Sequence, residues 1–195
     1  TGPHGDEVVF VSSGDGTTSE GEFWEAISSA SNLKLPVVFL VEDNGYAISV
    51  PVEVNTPGGS VSKLLVGFPG LYIQEVDGCD PIASYDTMVR AVEYCRQRKG
   101  PALVHAHVIR PYSHSLSDDE RLYKTPDERE AEGRRDPVRK MARALVAGGI
   151  ATEKALDAMH AQIGLEQPDL VSWFVMSLAL FLLIDHEQRH HPAIR

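Results

Sequence analysis

VVFVSSGDG at residues 8–16 and VVFLVEDNGY at residues 37–46 decide the fold of this chain. Each is an apolar run with no polar alternation, and each breaks off into glycine and oxygen-bearing residues. Continuous Val/Phe/Leu runs of this length mark strands covered on both faces, the kind found in parallel sheets. Between them, Phe23, Ile27 and Ala30 are spaced for one helical face over residues 19–33. Thr18 or Ser19 is the expected N-cap, with Glu22 three residues after Ser19, and Pro36 stops the helix before the second strand. The unit is strand, helix, strand, whose crossover is right-handed.

Working outward, residues 55–70 are rich in Gly, Ser and Pro and read as loop, and residues 71–76 as a third strand. Asp80-Pro81 opens a helix running to about Lys99, with Asp80 at the N-cap and proline at the first helical position. Gly100-Pro101 closes it, and residues 102–109 form a fourth strand. His105 and His107 alternate within that strand, so they share one face, and they read as core or rim histidines. Residues 113–132 are polar and lack apolar periodicity, which predicts a long loop, mobile without ligand. Residues 137–146 and 152–163 have the spacing of two short amphipathic helices. The expected fold is α/β, a parallel sheet with helices on both faces and a small C-terminal helical extension. The divisions are an α/β domain over 1–112, a mobile loop over 113–135, the extension over 136–163 and an atypical apolar tail over 164–195.

Composition narrows the function. The net charge is −10, from 18 basic and 28 acidic residues, which argues against a phosphate-backbone partner. The nearest basic cluster, Arg134, Arg135, Arg139, Lys140 and Arg143, is interleaved with Asp127, Glu128, Glu130, Glu132 and Asp136, and reads as a solvated mixed face. Cys79 and Cys95 belong to no metal or redox spacing, so a reducing, cytoplasmic setting without disulfides is expected. The N-terminal residues carry no signal-peptide pattern. The chain enters its first strand within a few residues, which predicts that sequence is missing upstream.

In an open parallel sheet, ligands bind outside the carboxyl ends of the strands. Asp15 follows the first strand, and Glu42, Asp43 and Asn44 end the second. The 29 residues between Asp15 and Asn44 are about one strand-helix-strand unit, so adjacent strands would put both on one rim. A carboxylate and an amide oxygen, joined by backbone carbonyls and phosphate oxygens, suit Mg²⁺. Gly14 and Gly16 would let phosphates approach the backbone, with amides at the start of the next helix directed at them. Gly-Asp-Gly by itself is more often only a tight turn.

GDGTTSEGEFWEA at residues 14–26 with LPVVFLVEDNGYAIS at residues 35–49 resembles the thiamine diphosphate signature of the 2-oxo acid dehydrogenases, specifically the alpha-type decarboxylating component. RPYSHSLSDD at residues 110–119 resembles the His-Ser-x-Ser-Asp loop of the same family. The likeness covers residues 5–160 with the motifs in order. It implies that Asp15, the Asn44 side chain and the Tyr46 main-chain carbonyl bind Mg²⁺, and that Gly14, Gly16 and Thr17 contact the diphosphate of the cofactor thiamine diphosphate. Arg110 would lie near the phosphates or brace the loop, and His114 would stand over the reacting carbon as a proton-exchanging catalytic group. Glu42 stands where some family members have a basic residue, so no diphosphate contact is expected from it, and Asp43 replaces a frequent Asn.

The implied reaction is oxidative decarboxylation of a small 2-oxo acid, with acyl transfer to a lipoyl group on a partner acyltransferase. A beta-type subunit or fused second half would supply the glutamate that activates the cofactor, so this chain alone is expected to be inactive. Two other thiamine-related readings stay open, a transketolase-like transferase and an inactive fragment acting as an interaction module. The loop at residues 113–119 favours the dehydrogenase. Leu170 to Ile184 is a mostly apolar run of 15 residues, shorter than the roughly 18–20 that span a bilayer. It reads as a helix packed on a partner or domain surface, as an altered or truncated end, or, least of these, as a membrane segment. His186-Glu-Gln-Arg-His190 formally matches the zinc-peptidase motif HExxH, but Arg189 puts a charge where that helix should be buried.

Overall fold

A computed structural model describes residues 5–164, so the apolar run and the HExxH match lie outside the described residues. Strand β1 (Val9–Gly14) runs into a 3-10 turn over Gly16–Ser19 and then helix α1 (Gly21–Leu33). The expected capping box is not made. Glu20 occupies the N-cap with no side-chain bond, Thr18 Oγ1 donates to the Asp15 carbonyl at 2.6 Å, and Ser19 Oγ donates to the Asn55 carbonyl at 3.3 Å. The amides that open beside Asp15 therefore belong to the 3-10 turn, and α1 starts later than expected.

Strand β2 (Val37–Asp43) extends through Glu42 and Asp43, beyond the apolar run. A hairpin of β3 (Tyr46–Ala47) and β4 (Val50–Pro51) follows, then α2 (Val52–Asn55) and α3 (Val61–Leu64). Residues 55–70 are thus less of a loop than their Gly, Ser and Pro content implied. Val61 and Leu65 are buried, and this apolar burial under the sheet holds the short turns. Strand β5 (Tyr72–Asp77), helix α4 (Pro81–Arg96) and strand β6 (Ala102–His107) complete the sheet. Asp80 caps α4 as expected, its Oδ1 accepting from the Ile82 and Ala83 amides at 3.1 and 3.0 Å.

The sheet is fully parallel in the order β1-β2-β6-β5. Side chains alternate between two cores. Phe39, Val41 and Leu103 meet Phe23, Ile27 and Ala30 of α1 and Val61 of α3 on one face. Val38, Leu40, Val104 and Ala106 meet Met88, Ala91 and Cys95 of α4 on the other. Helices on both faces of a parallel sheet are the expected fold class. Both cysteines are free and buried.

The stretch expected as a long loop is a loop only in part. Glu120–Leu122 is a 3-10 turn and Pro126–Arg134 is helix α5. Apolar periodicity could not signal α5 because its sequence, PDEREAEGR, has almost no apolar side chain. Local chemistry starts it instead: Thr125 caps it through the Glu128 amide at 3.2 Å, Pro126 takes the first position, and Glu130 pairs with Arg134 one turn on. Helices α6 (Pro137–Ala147) and α7 (Glu153–Gly164) follow where expected, capped by Asp136 and Thr152. No helix among the described residues is long and apolar enough to cross a membrane.

Candidate metal and cofactor site

Parallel pairing of β1 with β2 sets Gly14 opposite Glu42, so Asp15 and Asn44 leave neighbouring strands on one rim. The Asn44 amide donates to Asp15 Oδ1 at 3.4 Å. Asp15 is 1% exposed, yet its Oδ2 has no hydrogen-bond partner, and neither has the buried Asn44 Oδ1. Burying acceptors without donors costs on the order of 1–3 kcal/mol each. Burial, and then the neighbouring Asp43 charge, push the Asp15 carboxyl above its ordinary range. Two oxygens that face no donor, one on a carboxylate lacking its countercharge, fit a small divalent cation.

The chain reverses just past Asn44. Gly45 has φ +82 and its amide donates to Asp43 Oδ1 at 2.8 Å. Only glycine takes that conformation at little cost. Tyr46 then starts the hairpin that presses on the 3-10 turn. A Cβ on Gly16 would sit 2.8 Å from the Ala47 Cβ, whereas one on Gly14 would make only an ordinary contact with the Glu42 carbonyl. Gly16 is thus required first by the hairpin. Glu42 accepts from Ser12 Oγ at 2.8 Å, a partner within the rim strands.

Arg110 lies beyond β6. Its Nη2 donates to Tyr123 Oη, its guanidinium lies over the rings of Tyr46 and Tyr123, and its buried Nε and Nη1 have no hydrogen-bond partner. Its charge offsets part of the burden on Asp15. Unpartnered guanidinium donors on the same rim as two unpartnered oxygens can receive an anion beside a cation. His114 is exposed, and its amide donates to Asp118 Oδ2 at 2.8 Å. Asp118 also accepts from Tyr123 Oη at 2.5 Å, which ties the loop back to Arg110.

Several participants had no sequence signal of their own. Tyr46 Oη donates to Glu128 Oε1 at 2.6 Å, and this bond, with burial, pushes the phenol up to about 12. Lys124, fully buried at its side chain, donates to Glu132 at 2.6 and 2.8 Å and to the Arg110 carbonyl at 3.3 Å. The charge alternation of residues 120–132 gave the composition of this clamp but not its pairing.

A parallel α/β sheet with unpartnered oxygens and unpartnered guanidinium nitrogens at its strand ends has the chemistry to receive a cation and an anion at the rim. Comparison with known proteins names the family: the Dehydrogenase E1 component matches residues 4–166, and this chain belongs to that family. It is 34% identical over 166 residues to the pyruvate dehydrogenase E1 component subunit alpha of Porphyra purpurea, covering 84% of this chain and 47% of that protein. To the Mycoplasma pneumoniae subunit of the same name it is 36% identical over 158 residues, covering 80% and 43%. The 2-oxoisovalerate dehydrogenase subunit alpha of Bacillus subtilis is 32% identical over 160 residues, covering 81% and 48%. The chain spans less than half the length of each of these relatives.

Proposed function

We propose that this chain holds thiamine diphosphate and Mg²⁺ for the oxidative decarboxylation of a small 2-oxo acid. The observation that carries the reading is the pair of buried, unpartnered oxygens, Asp15 Oδ2 and Asn44 Oδ1, from neighbouring strand ends. Asp15, Asn44 and the Tyr46 carbonyl would ligate the ion. Gly14, Gly16 and Thr17 would contact the diphosphate, and the unpartnered nitrogens of Arg110 would receive its charge. When bound, the cofactor supplies the carbon that adds to the oxo group and the sink for electrons left by departing CO₂. His114 would hold and pass a proton near that carbon, the role its exposed place on the loop permits. A beta-type subunit or fused second half would supply the activating glutamate, and a lipoyl acyltransferase would take the acyl group. Membership of the dehydrogenase family favours this over the transferase. The names of the relatives divide between pyruvate and 2-oxoisovalerate, so the substrate class stays a small 2-oxo acid.

Calorimetry on the complete assembly tests the reading. Asp15→Ala and Asn44→Ala should each weaken Mg²⁺-dependent thiamine diphosphate binding by about 10–100-fold, the value of a charge-assisted contact of roughly 1.5–3 kcal/mol. Unchanged affinity in either variant refutes the site.

A further inference from the structure

A second constellation lies on the α1/α3 face of the sheet. Asp43, His105, His107 and Glu75 are all odd-numbered strand residues, so they share that face. The register sets Asp43 beside His107 and Glu75 beside His105. His105 is 0% exposed and its Nε2 lies 2.8 Å from Asp43 Oδ2. His107 Nδ1 lies 3.8 Å from the same oxygen. The two imidazoles are 4.4 Å apart between centroids, and one ligand atom from each of Asp43, His105 and His107 falls within 4.8 Å of the others.

Both far sides of the imidazoles are held. Ser62 Oγ donates to Glu75 Oε1 and also lies 3.0 Å from His105 Nδ1. A serine has one proton, so toward His105 this hydroxyl accepts, and Nδ1 carries the hydrogen. Nε2 then meets the Asp43 carboxylate at 2.8 Å, a separation that either a shared proton or a metal cation accounts for. His107 is gripped likewise, with Nε2 3.5 Å from Glu75 Oε2. Outer carboxylate and hydroxyl partners that fix the tautomer of each histidine are the usual support of a metal site.

We propose that Asp43 Oδ2, His105 Nε2 and His107 Nδ1 bind a zinc-class transition dication, with Ser62 and Glu75 as outer support and a fourth position left open. Tetrahedral zinc with bonds of about 2.0–2.1 Å places its donor atoms roughly 3.3 Å apart. The observed 2.8 and 3.8 Å separations bracket that value, each differing from it by about 0.5 Å. Two nitrogens and one carboxylate oxygen select zinc, cobalt or nickel over Mg²⁺. This site is distinct from the Asp15–Asn44 pair, whose donors are oxygens alone. The sequence reading of His105 and His107 as core or rim residues described their burial correctly, and the proposal gives them a ligand role in addition.

The test titrates Co²⁺ into the chelator-treated full chain with saturating Mg²⁺ present, reading the visible d–d band. One equivalent should bind with tetrahedral intensity, and Zn²⁺ should displace it. His107→Ala removes a half-exposed ligand with little risk to folding. It should weaken binding by more than the roughly 10–100-fold that an outer partner is worth, and Glu75→Gln should weaken it within that range. Asn44→Ala should keep the band, which separates this site from the proposed cofactor site. Absence of a stoichiometric band in the folded wild-type protein, or full retention of it in His107→Ala, overturns the proposal and leaves a proton between Asp43 and His105.

Discussion

Gly16→Ala is the sharpest test of how the rim is assembled. The added methyl would sit 2.8 Å from the Ala47 Cβ and 3.2 Å from its Cα. Carbon atoms pack at about 3.5–4.0 Å, so the hairpin or the 3-10 turn must give by nearly 1 Å. Overpacking of that size costs typically 1–3 kcal/mol. In a domain of this length each kcal/mol lowers Tm by roughly 2–4 °C. Ala47→Gly removes the nearer atom and leaves the farther one, so it should rescue the variant in part. On its own it should cost about 0.5–1 kcal/mol through backbone entropy. Denaturant unfolding of the four proteins closes a double-mutant cycle, and a coupling of at least about 1 kcal/mol is expected. Additivity within about 0.3–0.5 kcal/mol would refute steric contact as the reason for glycine at this position.

Three other outcomes are expected. Glu132→Gln leaves the buried Lys124 ammonium facing the Arg110 carbonyl and a Glu120 oxygen 3.9 Å away. Breaking a buried pair in this way costs roughly 3–5 kcal/mol, so amide exchange in α5 should accelerate strongly while β2 and β6 stay protected. Burial opposes ionisation of Asp77, but Arg135 and the Cys79 amide hold its carboxyl below 3.8, and the Ala83 amide with Lys140 does the same for Asp80. The unfolded chain binds more protons there, so this stability is present above about pH 4 and is lost as pH falls through the lower folded values. Arg135→Ala should flatten the acid limb of a pH-stability curve, and an unchanged limb would contradict this. His114→Ala in the complete assembly should leave thiamine diphosphate affinity within about tenfold while turnover falls by about 10² or more. Normal turnover would make His114 an ordinary loop residue.

The strands, α1 and α4 were legible because burial writes itself into sequence as period and run length, whereas α6 and α7 were legible from apolar spacing and their caps although they bury little. Phe23, Ile27 and Ala30 show the period, and the run over residues 37–41 shows a strand covered on both faces. The Asp15–Asn44 adjacency was legible because one strand-helix-strand unit has a narrow range of lengths. What stayed hidden depends on pairing across distant segments. Nothing near Asp43 in sequence announces that β6 lies beside β2, and without that neighbour His105 is only a buried histidine. The helix α5 was hidden for the opposite reason, since its sequence PDEREAEGR carries almost no apolar side chain to form a period and is marked only by Thr125, Pro126 and one charge pair.

Under the proposed function a strand-end rim and a loop serve one site, and the two are held differently. Asp15 and Asn44 are set by strand pairing and turn geometry. Arg110, His114 and Asp118 depend instead on side-chain bonds, Arg110 to Tyr123 and Tyr123 to Asp118. Tyr46 belongs to both halves. It opens the hairpin that Gly16 accommodates, and its phenol donates to Glu128 of α5 while its ring meets that of Tyr123 at 5.5 Å. Under the proposed function its carbonyl is a metal ligand, so a shift of the backbone there would be felt by α5 through a single side chain. Tyr46→Phe removes only the bond to Glu128 and preserves the carbonyl. It therefore separates the two halves: loop order should fall while the unpartnered oxygens at Asp15 and Asn44 stay where strand pairing puts them.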